Sequence, residues 1–295
     1  MPLFRPLFAA LPLLLAAAGC STVQMPGAVP AVVVSTPASP GTAATAGKTE
    51  VTWLGQASIR VRTPGGKVIM IDPWLTSNPK TPTNFKALEA LGKVDAIFVT
   101  HAHFDHVADA PALSKMHNAP VYGPAGLNST LTALGVLPEN LSPRFGKGGT
   151  VAPFGPSGPK ITAVRAEHSS EYQWKNPATG KNEIIPGGEP VGFILEMENG
   201  FRIWHMGDTG VFGDMRLIAD MYRPDLVLIP IGGHFVMNPV DAAMATREMI
   251  RPRYALPIHY GTLPVLRGTP AEYKAALGSA PVQMLAVEPG QKVEF

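Results

Sequence analysis

The segment Thr100-His101-Ala102-His103-Phe104-Asp105-His106 places three imidazoles and a carboxylate within six residues. Neutral imidazole and carboxylate are the ligands of catalytic zinc and related divalent ions. His101 and His103 alternate, so an extended segment presents both on one side. Asp105 and His106 then point toward a second site, and the spacing suits two adjacent ions better than one. The alternative is a histidine-rich surface loop, and the flanks argue against it. Before the motif, Val94–Val99 is an apolar run of buried-strand length. After it, Val107–Met116 reads as a helix with Pro111 in its first turn. Ligands in the loop after a strand lie where α/β sheets place their chemistry.

Four more polar residues stand where apolar runs end: His168 after Ile161–Val164, Asp208 after Phe201–Trp204, His234 after Leu226–Ile231 and His259 after Tyr254–Ile258. Taken singly, each histidine reads as a structural residue, and Asp208 as the cap of a turn. Their joint placement with Thr100–His106 reads as a metal constellation, and Gly207 and Gly210 permit close backbone approach to an ion. His234 keeps two readings, a substrate contact or proton donor on one side and a structural hydrogen bond on the other. His205 reads as structural, and His117 as a solvated residue near a helix carboxyl end. No Ser-His-Asp arrangement offers a protein nucleophile, which leaves metal-bound water as the attacking group.

The elements that must position these residues are legible as apolar runs. Val51–Leu54, Ser58–Val61 and Lys67–Ile71 read as strands, the last two joined through Pro64-Gly65-Gly66. Asn84–Leu91 reads as a helix, Pro120–Tyr122 as a short strand, and Leu127–Leu134 as a helix stopped by Gly135. Gly146–Pro159 reads as loop. Tyr172–Pro190 reads as a long polar insertion, a lid or binding loop, whose Tyr172 and Trp174 either line an apolar entrance or anchor the loop. Val191–Glu196 and Phe201–His205 form a hairpin, and Val240–Ile250 a helix before the strand Tyr254–Ile258. Meanders that give way to alternating strands and helices, with no boundary inside 49–295, imply one domain of two sheets and outer helices.

The chain has 295 residues, 45% of them apolar, ample for a core of that size, and its net charge of +2 gives no footprint for nucleic acid. Residues 1–19 read as an export signal: Arg5, then an apolar stretch too short to span a bilayer, ending Ala17-Ala18-Gly19. Cys20 is the one cysteine in the sequence. It reads as the acylated cysteine of a bacterial lipoprotein, with simple cleavage at the alanines as the alternative. Ser21 after it favours the periplasmic face of the outer membrane. Residues 20–48 carry four prolines and no charge before Lys48, and read as a flexible tether, with Val32-Val33-Val34 as a stray edge strand otherwise.

With Trp53-Leu54-Gly55-Gln56-Ala57-Ser58, Ile71-Asp72-Pro73-Trp74-Leu75, Thr100–His106, His168-Ser169-Ser170, Gly187-Gly188-Glu189-Pro190, Gly207-Asp208-Thr209-Gly210 and Ile258-His259-Tyr260-Gly261-Thr262 in view, residues 49–295 resemble the metallo-β-lactamase superfamily. More closely, they resemble its metal-dependent hydrolases related to ascorbate-phosphate lactonase and N-acyl-phosphatidylethanolamine phospholipase D. The resemblance implies an α/β fold, a four-layer αββα sandwich, with the metals at one edge of the paired sheets. It implies that His101, His103 and His168 hold the first metal, that Asp105, His106 and His259 hold the second, and that Asp208 bridges them. Asp72 would support a ligand histidine from behind. Gln56 departs from the pattern, standing where relatives often carry histidine. The function implied is a binuclear hydrolase that uses a metal-bridging hydroxide on an ester, lactone or phosphodiester. Asp105 would orient the nucleophile or shuttle a proton, and His234 would protonate the leaving group. Zinc is the favoured metal, with manganese or iron open, and the partners are a small-molecule or lipid-like substrate and a membrane met through the lipid anchor. The competing reading is a metal-binding envelope lipoprotein without turnover.

Overall fold

The computed structural model describes residues 47–295, so the signal, Cys20 and nearly all of the tether lie outside the described residues. Strands β1 (Glu50–Trp53), β2 (Ile59–Arg62) and β3 (Val68–Ile71) form an antiparallel meander. A short helix, α1 (Thr83–Lys86), leads to β4 (Ala96–Phe98). Helices α2 (Phe104–Val107) and α3 (Ala110–His117) carry the chain to β5 (Val121–Pro124), and α4 (Ala125–Ala133) to β6 (Arg144–Phe145). The second half contains β7 (Thr150–Val151), β8 (Lys160–Arg165), β9 (Glu171–Lys175), β10 (Asn182–Pro186), β11 (Val191–Glu196) and β12 (Arg202–His205). Then come α5 (Met215–Tyr222), β13 (Leu226–Pro230), α6 (Pro239–Met244, running on as a π-helical turn to Ile250), β14 (Tyr254–Ile258), α7 (Pro270–Leu277), β15 (Gln283–Met284) and β16 (Lys292–Glu294).

Two seven-stranded sheets result, ordered β16-β1-β2-β3-β4-β5-β6 and β15-β14-β13-β12-β11-β8-β7. Each is antiparallel on one side and parallel on the other, where helical crossovers connect the strands. Strand periodicity explains the layering. Ile69, Ile71 and Phe98 of the first sheet meet Phe193, Leu228 and Leu256 of the second in one shared core. Their neighbours Met70 and Ile97 face outward under α3 and α4, and Ile194, Val227 and Ile229 under α5, α6 and α7. The layers are helix, sheet, sheet, helix, as the resemblance implies.

Helices α5 and α7 come in addition to the elements read from the sequence, and three of the segments read take another form. Asn84–Leu91 is broken at the extended Ala87, after which Leu88 and Leu91 sit in a 3₁₀ turn with both side chains buried. Gly146–Pro159 contains the edge strand β7. Tyr172–Pro190 is no irregular loop: β9 and β10 pair in register from Glu171↔Pro186 to Lys175↔Asn182, across a turn that Asn176 closes by accepting from the Ala178 N–H. Tyr172 of this hairpin packs half-buried against the outer core of the first sheet, so it anchors the hairpin.

Candidate metal centre

Every residue of the expected constellation follows the carboxyl end of a strand: Gln56 follows β1, Asp72 β3, His101–His106 β4, His168 β8, Asp208 β12 and His259 β14. Backbone bonds stitch the two sheets together at this edge. The His259 N–H donates to the Gln56 carbonyl at 3.0 Å and the Val191 N–H to the Thr100 carbonyl at 3.0 Å. His205 Nε2 donates to the Ala57 carbonyl at 2.9 Å while its Nδ1 accepts from the Gly207 N–H, a structural role. The double glycine Gly187-Gly188 lets the chain returning from the hairpin cross tightly over this loop. A Cβ on Gly187 would run into the Ala102 side chain, and one on Gly188, at φ +73, would come within 2.8 Å of Gly126.

His101, His103 and His168 converge, with His101 Nε2 and His168 Nε2 at 3.0 and 3.3 Å from His103 Nδ1. The partners of the far nitrogens fix where the protons are. The Thr100 hydroxyl donates to Asp72 Oδ2 at 2.7 Å, so it accepts from His101 Nδ1 at 3.1 Å. His103 Nε2 donates to Glu171 Oε2 at 2.9 Å. The inward nitrogens of His101 and His103 are therefore lone pairs facing one another, an arrangement that calls for a cation. Their spacing matches the ~3.3 Å that separates nitrogens sharing one tetrahedral zinc at ~2.0–2.1 Å.

Asp105, His106 and His259 form the adjoining group. His106 Nδ1 donates to Asp72 Oδ2 at 2.8 Å, which turns Nε2 toward Asp208 Oδ1 at 3.3 Å. Both of these atoms are buried and lack a hydrogen-bond partner among the described residues. Asp208 joins the groups: its Oδ2 lies 3.0 Å from His259 Nε2 and 3.6 Å from His168 Nε2. The fully buried Gln56 turns its Nε2 to Asp105 Oδ2 at 2.7 Å and to His259 Nε2 at 2.8 Å. Buried polar atoms without partners, opposed lone pairs and a donor set of imidazoles and carboxylates fit divalent metal.

The two groups differ electrostatically. Burial, with His106 as a cationic neighbour, pushes His101 well below the usual imidazole range, and burial lowers His168 against the pull of Asp208. Burial also opposes the charged form of His259, but Asp208 and Asp105 outweigh it and push the imidazole up to about 9. His106 is likewise raised, its burial outweighed by Asp208 and Asp72. Burial would raise Asp105, yet His106 and His259 bring it down to about 2, and the same two histidines hold Asp208 well below the carboxylate range.

Sequence reasoning did not find Glu171, which orients His103 from the first residue of β9; its sole signal was position, three residues after His168. Asp72 proves the hub of the support, accepting from Thr100 N–H and hydroxyl and from His106. His234 is exposed and lines a neighbouring cavity with Asn238, Arg267 and Glu272, apart from the pocket that holds the other residues. His117 is not freely solvated: its Nε2 is buried without a partner among the described residues.

Residues 67–260 match the beta-lactamase superfamily domain. The chain is similar to a UPF0173 metal-dependent hydrolase of Cupriavidus necator, 65% identical over 252 residues that cover 85% of this chain and 87% of the relative. Its identity to another from Cupriavidus taiwanensis is 62% over 277 residues, 94% of this chain and 95% of that one. Among solved structures it is similar to a metallo hydrolase from the hyperthermophilic archaeon Ignicoccus hospitalis, with a TM-score of 0.71 and 30% identity over 84% of this chain and 98% of that one.

Proposed function

The chain belongs to the metallo-β-lactamase superfamily and is a metal-dependent hydrolase, and from that premise we propose that it works with two divalent ions on an ester, lactone or phosphodiester bond. Zinc suits the donors best, and manganese or iron fits the same set. The observation that carries this reading is the pair of adjoining donor groups joined by Asp208. His101, His103 and His168 would hold one ion and Asp105, His106 and His259 the other. When bound, the ions supply an activated water at neutral pH and polarise the scissile oxygen.

The protein's own contribution is orientation. Asp72, Thr100 and Glu171 hold the imidazoles in the tautomers that aim lone pairs inward. Asp105 is an anion at neutral pH, so it accepts a proton rather than delivering one. Gln56 pins its Oδ2 against rotation. His234 lines a neighbouring cavity with its ring 4.4 Å from that of Phe235 at the mouth of the pocket, and in this reading it carries no proton-transfer role. From residues 1–48 we propose, in addition, a lipid anchor at Cys20 on the periplasmic face of the outer membrane. Palmitate labelling that persists in Cys20→Ser would refute it. No helix among the described residues is long and apolar enough to cross a membrane.

The test of the two-ion reading is metal content and turnover on the same purified chain. Zinc-loaded protein should carry two equivalents and hydrolyse a chromogenic lactone or phosphodiester, and His103→Ala should lose the activity. Full turnover at one equivalent, or activity retained in His103→Ala, would refute it.

A further inference from the structure

We infer that this site takes a substrate whose reacting group carries an uncharged, apolar substituent, a short acyl or alkyl chain, rather than a phosphorylated or carboxylated one. The inference rests on the two-ion reading and adds the chemistry of the substituent. The donor groups open into a pocket of about 320 Å³. Apart from the candidate ligands, its walls are Phe104, Phe235, Leu263, Ser169 and Gln173. Phe104 comes from α2 behind the first sheet, and Phe235 from the loop after β13 in the second, so each half of the fold sets one aromatic ring at the mouth. The rings are 45% and 52% exposed. Trp74 meets Phe104 edge-on at 5.3 Å, which braces that ring. Gln173 is cross-strand from Ile184, which is 73% exposed and adds one apolar side chain beside the pocket on an otherwise polar hairpin face. An aromatic pair left facing solvent beside a reaction centre gains by covering apolar carbon.

The charge around the pocket points the same way. No lysine or arginine among the described residues lines it. Lys147 and Arg165 line the adjoining cavity but are engaged, Lys147 with Glu189 at 3.2 Å and Arg165 with Glu167 at 2.8 Å and Asp214 at 3.0 Å. At the rim stands the Glu171 carboxylate, half exposed. A second anionic group on the substrate would shed water with no cation in the pocket wall to meet it and would face Glu171. The Ser169 hydroxyl, which donates to Glu171 at 3.0 Å, remains as an acceptor, and the Gln173 amide can accept from or donate to an uncharged polar group.

The experiment uses the full-length, zinc-loaded protein with two p-nitrophenyl series, carboxylic esters and alkyl phosphodiesters, each lengthened from one carbon to six. A succinyl ester serves as the anionic match of the butanoyl ester. We expect kcat/KM to rise up to about fourfold per methylene in whichever series is turned over, the value for full burial of a CH₂. The succinyl ester should fall at least tenfold below the butanoyl ester, and Phe235→Ala and Phe104→Ala should each flatten the rise. A flat series, or a succinyl ester equal to the butanoyl ester, with turnover still abolished in His103→Ala, overturns the inference alone. Failure of the metal-loaded chain to hydrolyse any member of either series or a chromogenic lactone overturns the two-ion reading and the inference with it.

Discussion

Stripping the metal should expose two sites with different proton costs. His101 and His168 are pushed below the ordinary imidazole range, so they are neutral at pH 7 and lose no proton when an ion enters. His259 is pushed up to about 9 and is charged at that pH in the metal-free protein. The second ion must expel that proton, which costs roughly a hundredfold in apparent affinity at pH 7, and the affinity should rise about tenfold per pH unit from 7 toward 9 for each proton displaced. His106, also raised, steepens this dependence. Calorimetric zinc titrations in two buffers of different ionisation heat, at pH 6.5, 7.5 and 8.5, count the protons. The first equivalent should bind with weak pH dependence, the second with at least one proton released beyond that from ionising water. Two equivalents of equal pH dependence would refute the assignment of neutral and charged groups.

The same shift fixes the stability of the metal-free protein. The folded pKa of His259, about 9, lies above the unfolded value of about 6.5, so its contribution is fully present below pH 6.5 and is lost as pH rises through 9. The shift corresponds to about 3 kcal/mol, and the depressed Asp105 reports part of the same attraction, so the two are not summed. For a domain of this size that is a fall in Tm of roughly 6–12 °C between pH 6.5 and 10. The zinc-loaded protein gains affinity over the same window, so the gap between the two melting curves should widen with pH. A metal-free Tm that stays level or climbs from pH 6.5 to 9 would contradict the ion network.

Substitutions at Asp72 and Glu171 test the support of the site, and one at His234 tests its place outside it. Asp72→Asn keeps the shape but sets an amide N–H against the His106 or Thr100 donors it now accepts from; zinc affinity by chelator competition should drop about 10–100-fold. An unchanged value would mean His106 is oriented by something else. Glu171→Ala should weaken zinc binding by about tenfold and Glu171→Gln by much less, because an amide oxygen still accepts from His103 Nε2; equal losses would make charge rather than orientation the cause. His234→Gln should leave kcat/KM within about twofold and its pH profile unmoved, and a tenfold loss would return His234 to the reacting groups.

The parts legible in the sequence are those with one physical explanation. Runs such as Leu226–Ile231 are apolar at every position because the strand is covered on both sides, by the other sheet and by helices. Polar residues at their ends then stand out. The hairpin β9–β10 escaped because it has water on one face: its alternation of exposed and half-buried residues is carried by Tyr172, Trp174, Glu183 and Ile185, a mixed set with no clean period. Helix α5 did carry a sequence signal, with Met215, Ile218, Ala219 and Tyr222 at helical spacing on its inner face. Glu171 and His103 are partners 68 positions apart, and no local spacing rule joins them.

The backbone of the site was illegible for a different reason. Gln56, Asp72 and His259 adopt φ of 51, 47 and 54°, the left-handed region that sequence rules reserve for glycine or asparagine. Of the four other non-glycine residues with positive φ, Asn118, Arg223 and Arg251 cap helix carboxyl ends, where such turns are common, and His234, at φ 61, lies in the loop after β13. At the site the strain is held by tertiary bonds. The Gln56 carbonyl accepts from the Trp53 indole at 2.9 Å and from the His259 N–H, and the Asp72 N–H donates to the Phe98 carbonyl while the Asp72 carbonyl accepts from Ser58. Each left-handed residue turns the chain sharply at a strand end; Gln56 and His259 meet across the gap between the sheets, while Asp72 turns toward its neighbours on the first sheet. Gln56 thereby reaches Asp105 and His259, and Asp72 reaches Thr100 and His106. At Gln56 and His259 the strained turns bring side chains from both sheets to one point, and they are held by a bond that exists only after the sheets have packed.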